Sequence, residues 1–275
     1  MIPGLLLFVS LLIGSAVHAD DPSFVVVDAR DGNTLIAHNA DKPKPPGAIM
    51  QVMTLFVAWS LAEAGELDLD ASTTISARAQ MEPPLRIGLK AGQVVPFRRL
   101  IEFVAGQRSN DAATALAEGI SGSVDAFARR MNDMANLMCL TNSHFLANYG
   151  LARPGQITTA QDAAIIARHL LHRFPENLPL FAVPGVKHDG VTRRNILSTV
   201  RPDLDGFTTM YTLEAGHGGV FTVERNGVRL IVVIMGASDP AMRRRMLGDL
   251  LDQGFAAAKP IVPVAPPRLD GCPMS

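Results

Sequence analysis

Lysine is scarce in this chain. Five occur in 275 residues: Lys42, Lys44, Lys90, Lys187 and Lys259. Three places before them stand Asn39, Asp41, Ile87, Pro184 and Ala256, so no serine lies one helical turn ahead of a lysine. A nucleophile and base paired that way on one helix face are therefore excluded. Cysteine is rarer still. Cys139 and Cys272 cannot staple a scaffold, and a chain of this length does not need stapling. A bridge between the two is permitted, though nothing in the sequence indicates it. A basic surplus is also missing, with 25 Lys and Arg against 26 Asp and Glu. A net charge of −1 lacks the positive field that a phosphate backbone demands, which excludes nucleic acid as a partner. Neither a G-x-S-x-G elbow nor an HExxH helix occurs. Beyond the first stretch, no window approaches the roughly 18 consecutive apolar residues of a membrane span.

What is present is core material: 48% hydrophobic and 19% charged residues exclude disorder throughout. Leu5 to Val17 reads LLLFVSLLIGSAV and runs into His18 and Ala19. This predicts a secretory signal over residues 1–19, cut after Ala19, although Met1-Ile2-Pro3 carries no positive charge. The implied location is periplasmic or secreted. Ser23 to Val27 and Thr34 to His38 are β-rich runs around the turn Arg30-Asp31-Gly32-Asn33. Apolar residues then recur at helical spacing from Ile49 to Ala64, and Gly65 ends the helix. Further helices are expected over Pro96–Ala105, Asn110–Gly119, Ser123–Asn136 and Thr159–His172, the last three with Asn110, Ser123 and Thr159 as N-caps. Gly219–Arg225 and Val228–Met235 flank Asn226-Gly227, a strong hairpin signal. Asp239 caps a closing helix that reaches about Phe255. The order predicts an α+β fold, an α/β sandwich. One antiparallel sheet is built from N- and C-terminal strands and flanked by helices, with an inserted helical lobe. The domain spans 20–258, and a Pro-rich disordered tail covers 259–275.

Three segments invite comparison. Pro46-Gly47-Ala48-Ile49-Met50-Gln51-Val52-Met53-Thr54 opens the first helix. Arg108-Ser109-Asn110-Asp111-Ala112 opens a later one. Asp205-Gly206-Phe207-Thr208-Thr209-Met210-Tyr211-Thr212-Leu213-Glu214-Ala215-Gly216 precedes the last hairpin. In order and context the chain resembles the serine-type D-Ala-D-Ala carboxypeptidases, the low-molecular-mass penicillin-binding proteins. Their motifs are P-A-S-x-T-K-x-M-T, S-G-N-D-A and D-G-x-K-T-G-x-T-x-x-A-G. The frame between the motifs also matches, in Phe24 to Asn39, Thr158-Thr159-Ala160 with Asp162, and Arg194-Asn195-Ile196-Leu197. The resemblance runs from about Ser23 to Phe255 and implies a β-lactamase/transpeptidase-like fold acting on peptidoglycan peptides.

It does not deliver the reactive groups. Ala48 stands at the family's nucleophile and has no oxygen to attack with. Gln51 stands at its lysine and offers an amide, which accepts no proton. Arg108 replaces the relay serine and stays charged near neutrality. No catalytic position is intact. Thr208 fills the place of the third-motif lysine, and Met210 that of a glycine against which a ligand lies. Asn110 and Thr209 are retained, so the ligand-binding candidates are Asn110, Thr208, Thr209, Met210 and His217.

Other groups carry weaker readings. Ser109 is the best displaced hydroxyl, against the plainer role of a turn residue entering a helix. His169 and His172, at i and i+3, form half a metal site or polar positions on a helix surface. His217 is a contact for a ligand carboxylate or a turn residue. Asp205 and Glu214 could pair as carboxylates. Arg243-Arg244-Arg245 reads as a solvated face, and Met131, Met134 and Met138 as core. No cofactor and no metal are expected. The combined expectation is an exported pseudoenzyme that binds a peptidoglycan stem peptide or a cell-wall protein. The alternatives are an active hydrolase with a displaced nucleophile, and a structural scaffold with a plugged groove.

Overall fold

The structure is a computed structural model that describes residues 21–149, 153–260 and 266–271; the expected signal segment lies outside them. β1 (Ser23–Asp28) and β2 (Thr34–His38) form the expected hairpin. α1 (Ile49–Glu63) follows, buried at every residue from Ile49 to Trp59. A helix apolar on all sides has only the interior to occupy. Gly65 stops it with φ +75 and an N–H bonded to Ala62 O, a conformation that favours glycine.

The inserted lobe holds elements that periodicity did not reveal, β3 (Ser72–Thr74), α2 (Ala77–Met81) and β4 (Val94–Pro96), each too short to show a period. Then come α3 (Phe97–Gln107), α4 (Asn110–Ser121), α5 (Val124–Leu137) and α6 (Ala160–Arg173). Ser123 and Thr159 cap as expected, each accepting a backbone N–H three residues on. Asn110 does not cap. It is the first helical residue, behind Ser109, and its amide is engaged elsewhere. After α7 (Pro179–Ala182), a second small hairpin pairs β5 (Gly185–His188) with β6 (Val191–Arg194).

The chain returns to the main sheet with β7 (Gly206–Thr212), β8 (Gly216–Arg225) and β9 (Val228–Ala237), and closes with α8 (Pro240–Ala257). The Asp239 carboxylate caps α8 by accepting the N–H groups of Ala241 and Met242. All neighbours in the order β2-β1-β9-β8-β7 are antiparallel, so the two ends of the sequence build one sheet and β7 is an edge. Side chains alternate across it. Val25, Val27, Ile231 and Val233 join the helical lobe, while Val26, Leu230, Val232 and Ile234 pack on Leu247, Leu250 and Leu251 of α8. Met131 and Met138 are buried and Met134 packs against the same core, as expected.

Within the segment expected to be a disordered tail, residues 266–271 lie on the helical lobe. Leu269 packs on the core and Gly271 N–H reaches Leu137 O at 3.2 Å. The histidines of α6 are not solvated positions on a helix surface. His172 Nε2 contacts Ala29 O at 2.7 Å, whereas His169 is only 5% exposed and sits edge-on to Phe56, 6.2 Å between centroids. The helix is covered on that side, so its polar residue goes in with it.

Burial, helped by the nearby Arg168 charge, pulls the His169 imidazole down to about 4. A folded value below the unfolded 6.5 means that the unfolded chain takes up the proton first as pH falls. The stability that neutral His169 contributes is complete above about pH 6.5 and is lost progressively toward about pH 4, by roughly 2–3 kcal/mol. Urea unfolding across that window is expected to show the loss in the wild type. His169→Leu, a near-isovolumetric apolar change, is expected to flatten it.

Candidate functional site

The start of α1, the α3–α4 turn and edge strand β7 meet at a cleft of about 60 Å³. Ala48, Gln51, Pro84, Leu85, Arg108, Asn110, Met210, Tyr211 and Thr212 line it. Ordinary ligand pockets hold ~300–1,000 Å³. Ala48 is the N-cap of α1 and makes no side-chain capping bond, having no side-chain oxygen. One turn on, the buried Gln51 donates both amide hydrogens, to Arg108 O and to Asn110 Oδ1, each at 2.9 Å. Asn110 passes the chain on through Nδ2 to Pro83 O at 2.7 Å. The retained asparagine is thus committed to the protein at both ends.

Arg108 occupies a left-handed conformation, φ 54 and ψ 38, which turns α3 into α4. That backbone costs a non-glycine residue about 1–2 kcal/mol. From there its Nη1 donates to Thr209 O on the free edge of β7 at 2.7 Å. A peptide laid along that edge would need the same acceptor. Nε of Arg108 is buried without a partner. Burial, then the charge of Arg243, lowers the guanidinium to about 10, so it stays positive at neutral pH.

Met210 is 1% exposed, and its side chain fills a slot that two glycines leave open. A Cβ on Gly47 would meet Met210 Sδ at 2.8 Å, and one on Gly218 would meet Met210 Cε at 2.6 Å. Gly47 also has φ +53. Thr208 and Thr209 are buried on β7, and Thr208 Oγ1 donates to Thr209 O at 3.1 Å. Neither lines the cleft; Thr209 enters through its carbonyl alone. His217 stacks on Tyr211, centroids 4.2 Å apart, on the strand pair beside the cleft.

The remaining candidates resolve elsewhere. Ser109 is 1% exposed; its hydroxyl donates to the Asp111 carboxylate and accepts Ile87 N–H at 2.9 Å. Asp111 accepts the N–H groups of Ile87, Gly88 and Leu89. The pair staples a loop, which commits the Ser109 hydroxyl to the protein. Asp205 pairs with Arg229 at 2.5 Å at one end of β7, and Glu214 lies past the other, roughly 20 Å away along a strand. They cannot work together. Among the described residues, no group of three His, Cys, Asp or Glu side chains could hold a metal ion.

Pro84, Leu85, Tyr211 and Thr212 also line the cleft without having been expected there, although Tyr211 and Thr212 lie inside the third motif. The sequence reading of Arg243 as solvated also fails. Arg244 and Arg245 are solvated, but Arg243 is 7% exposed, with Nε unpartnered and its charge felt at both Arg108 and His217. Among the described residues neither Arg108, which lines the cleft, nor Arg243, whose charge reaches it, has a carboxylate partner.

Residues 13–239 match the family model described as D-alanyl-D-alanine carboxypeptidase. The chain is 30% identical over 260 residues to the D-alanyl-D-alanine carboxypeptidase DacC of Escherichia coli, across 91% of this chain and 65% of that protein. Against DacA of the same species identity is 29% over 274 residues, covering 91% and 68%. It spans about two thirds of these relatives. The crystal structure of DacD from Francisella tularensis superposes with TM-score 0.81 at 26% identity, over 87% of this chain and 71% of that one. Penicillin binding protein 5 from Haemophilus influenzae gives TM-score 0.81 at 29% identity, over 85% and 70%.

The fit between Gly47 and Met210 is testable. Gly47→Ala is expected to lose roughly 2–3 kcal/mol in urea unfolding, from left-handed strain plus overpacking. In the double variant with Met210→Ala the packing part returns, leaving a coupling of about 1 kcal/mol or more.

Proposed function

This chain belongs to the D-alanyl-D-alanine carboxypeptidase family, and from that premise we propose that it is a non-acylating member, exported to the cell wall, which binds without cleaving. The observation that carries the reading is the Gln51 amide. Where the family's lysine takes a proton, both hydrogens of a neutral amide are donated into the protein, and Ala48 beside it offers no nucleophile. Deleting a nucleophile alone costs a serine hydrolase about 10⁶ in turnover. Base and relay are absent with it.

The ligand we propose is a carboxylate-ended peptidoglycan stem peptide, held non-covalently. The uncompensated charges of Arg108 and Arg243 support it, because a carboxylate accepts from a guanidinium fork better than a backbone carbonyl does. Such a ligand would draw Arg108 away from Thr209 O and free the strand edge. A second reading rests on Met210, whose packing between Gly47 and Gly218 plugs the groove. There the fold serves as a scaffold for a cell-wall protein.

Fluorescent penicillin is expected to leave no covalent band on the wild type, and purified protein to release no D-alanine. A band abolished by Ser109→Ala would overturn the non-acylating reading. Ala48→Ser with Gln51→Lys is expected to stay unlabelled. Adding Arg108→Ser, Thr208→Lys and Met210→Gly reopens acylation. Calorimetric titration with a D-Ala-D-Ala pentapeptide is expected to give heat that Arg108→Ala reduces about tenfold in affinity, while an absence of heat leaves the scaffold.

A further inference from the structure

His169 is a buried polar group that the cleft does not use. It is 5% exposed, edge-on to Phe56, and makes no hydrogen bond among the described residues. Its ring borders two cavities instead. The larger, of about 360 Å³, lies over Glu63, His172 and Arg173, with Pro266, Pro267 and Leu269 as its roof. Past His169 a smaller one of about 80 Å³ continues beside Ala164 and Ile165. Leu269 packs on the core and Gly271 N–H donates to Leu137 O, so the roof is seated on the lobe. The larger cavity falls within the ~300–1,000 Å³ of small-molecule sites, which the cleft does not.

We propose that this cavity is a binding site for a small neutral aromatic alcohol, whose hydroxyl donates to the His169 ring. The other polar groups of the wall are already matched. Glu63 accepts from Arg173 Nε at 2.6 Å, and His172 Nε2 donates to Ala29 O at 2.7 Å. That ion pair cancels, so an ionised ligand would lose its water and find no counter-charge. His169 is left with one bare acceptor nitrogen and one N–H, because burial keeps its ring neutral at pH 7. An unpaired buried polar group gains most from a ligand that satisfies it. The roof selects the ligand's shape, since two pyrrolidine rings and a leucine offer apolar surface against which an aromatic face packs. Half-exposed Glu63 and Arg173 mark the way in. The site is separate from the cleft: Gln51 and Glu63 stand near opposite ends of α1, about 18 Å apart along its axis.

The test titrates the full chain against 2-naphthol, neutral at pH 7, and follows the probe's fluorescence anisotropy. One saturable site is expected. Naphthalene, which lacks the hydroxyl, is expected to compete about tenfold more weakly, the worth of one hydrogen bond. In His169→Leu that difference is expected to vanish, whereas Arg108→Ala leaves both affinities unchanged. In the wild type, saturation with naphthol is expected to move the ring-nitrogen resonances of His169 and not those of His217 beside the cleft. Absence of saturable binding, a preference for naphthol that survives His169→Leu, or His169 resonances that stay in place would each refute the site. Weaker binding in Arg108→Ala would put the probe in the cleft and overturn it too.

Discussion

The two hydrogens that Gln51 donates to Arg108 O and Asn110 Oδ1 tie the buried start of α1 to the turn between α3 and α4. The cleft takes its shape from that tie. α1 cannot shift, because every residue from Ile49 to Trp59 is buried. The turn cannot relax either, because Asp111 and Ser109 hold the preceding loop through its backbone N–H groups. With both sides held, Arg108 projects onto β7 and meets Thr209 O. A neutral amide suits this junction in a way a lysine does not: it satisfies two buried acceptors without adding a third cation beside Arg108 and Arg243.

The substitutions at the cleft are therefore coupled. Met210 fits because Gly47 and Gly218 have no side chains. Gln51 fits because Asn110 turns its oxygen inward and its nitrogen toward Pro83. Changing one position leaves its neighbours shaped for the residue that was there. The scaffold rests on the sheet and on α1, α6 and α8, none of which needs a reactive side chain, so their packing does not depend on the chemistry of the cleft.

Much of the fold was legible in sequence. The Arg30–Asn33 and Asn226-Gly227 turns sit where alternating strands meet, and Ser123, Thr159 and Asp239 sit where helices begin. Those signals are local, and local hydrogen bonds honour them. The short elements of the lobe were not legible, since three to five residues hold no period. His169 and Arg243 were misassigned for one reason. Each is a polar residue on a helix whose inner side faces residues distant in sequence, Phe56 for His169 and Arg108 with His217 for Arg243.

The sequence alone determined that Ala48 carries no hydroxyl and Gln51 no amine, because these are properties of residue types and survive any folding. Only the tertiary structure decided what surrounds them. Arg108 on the strand edge, Met210 in a slot of glycines and the tail laid over the helical lobe each join residues far apart in the chain. Such contacts arise from packing in three dimensions, which no local pattern encodes.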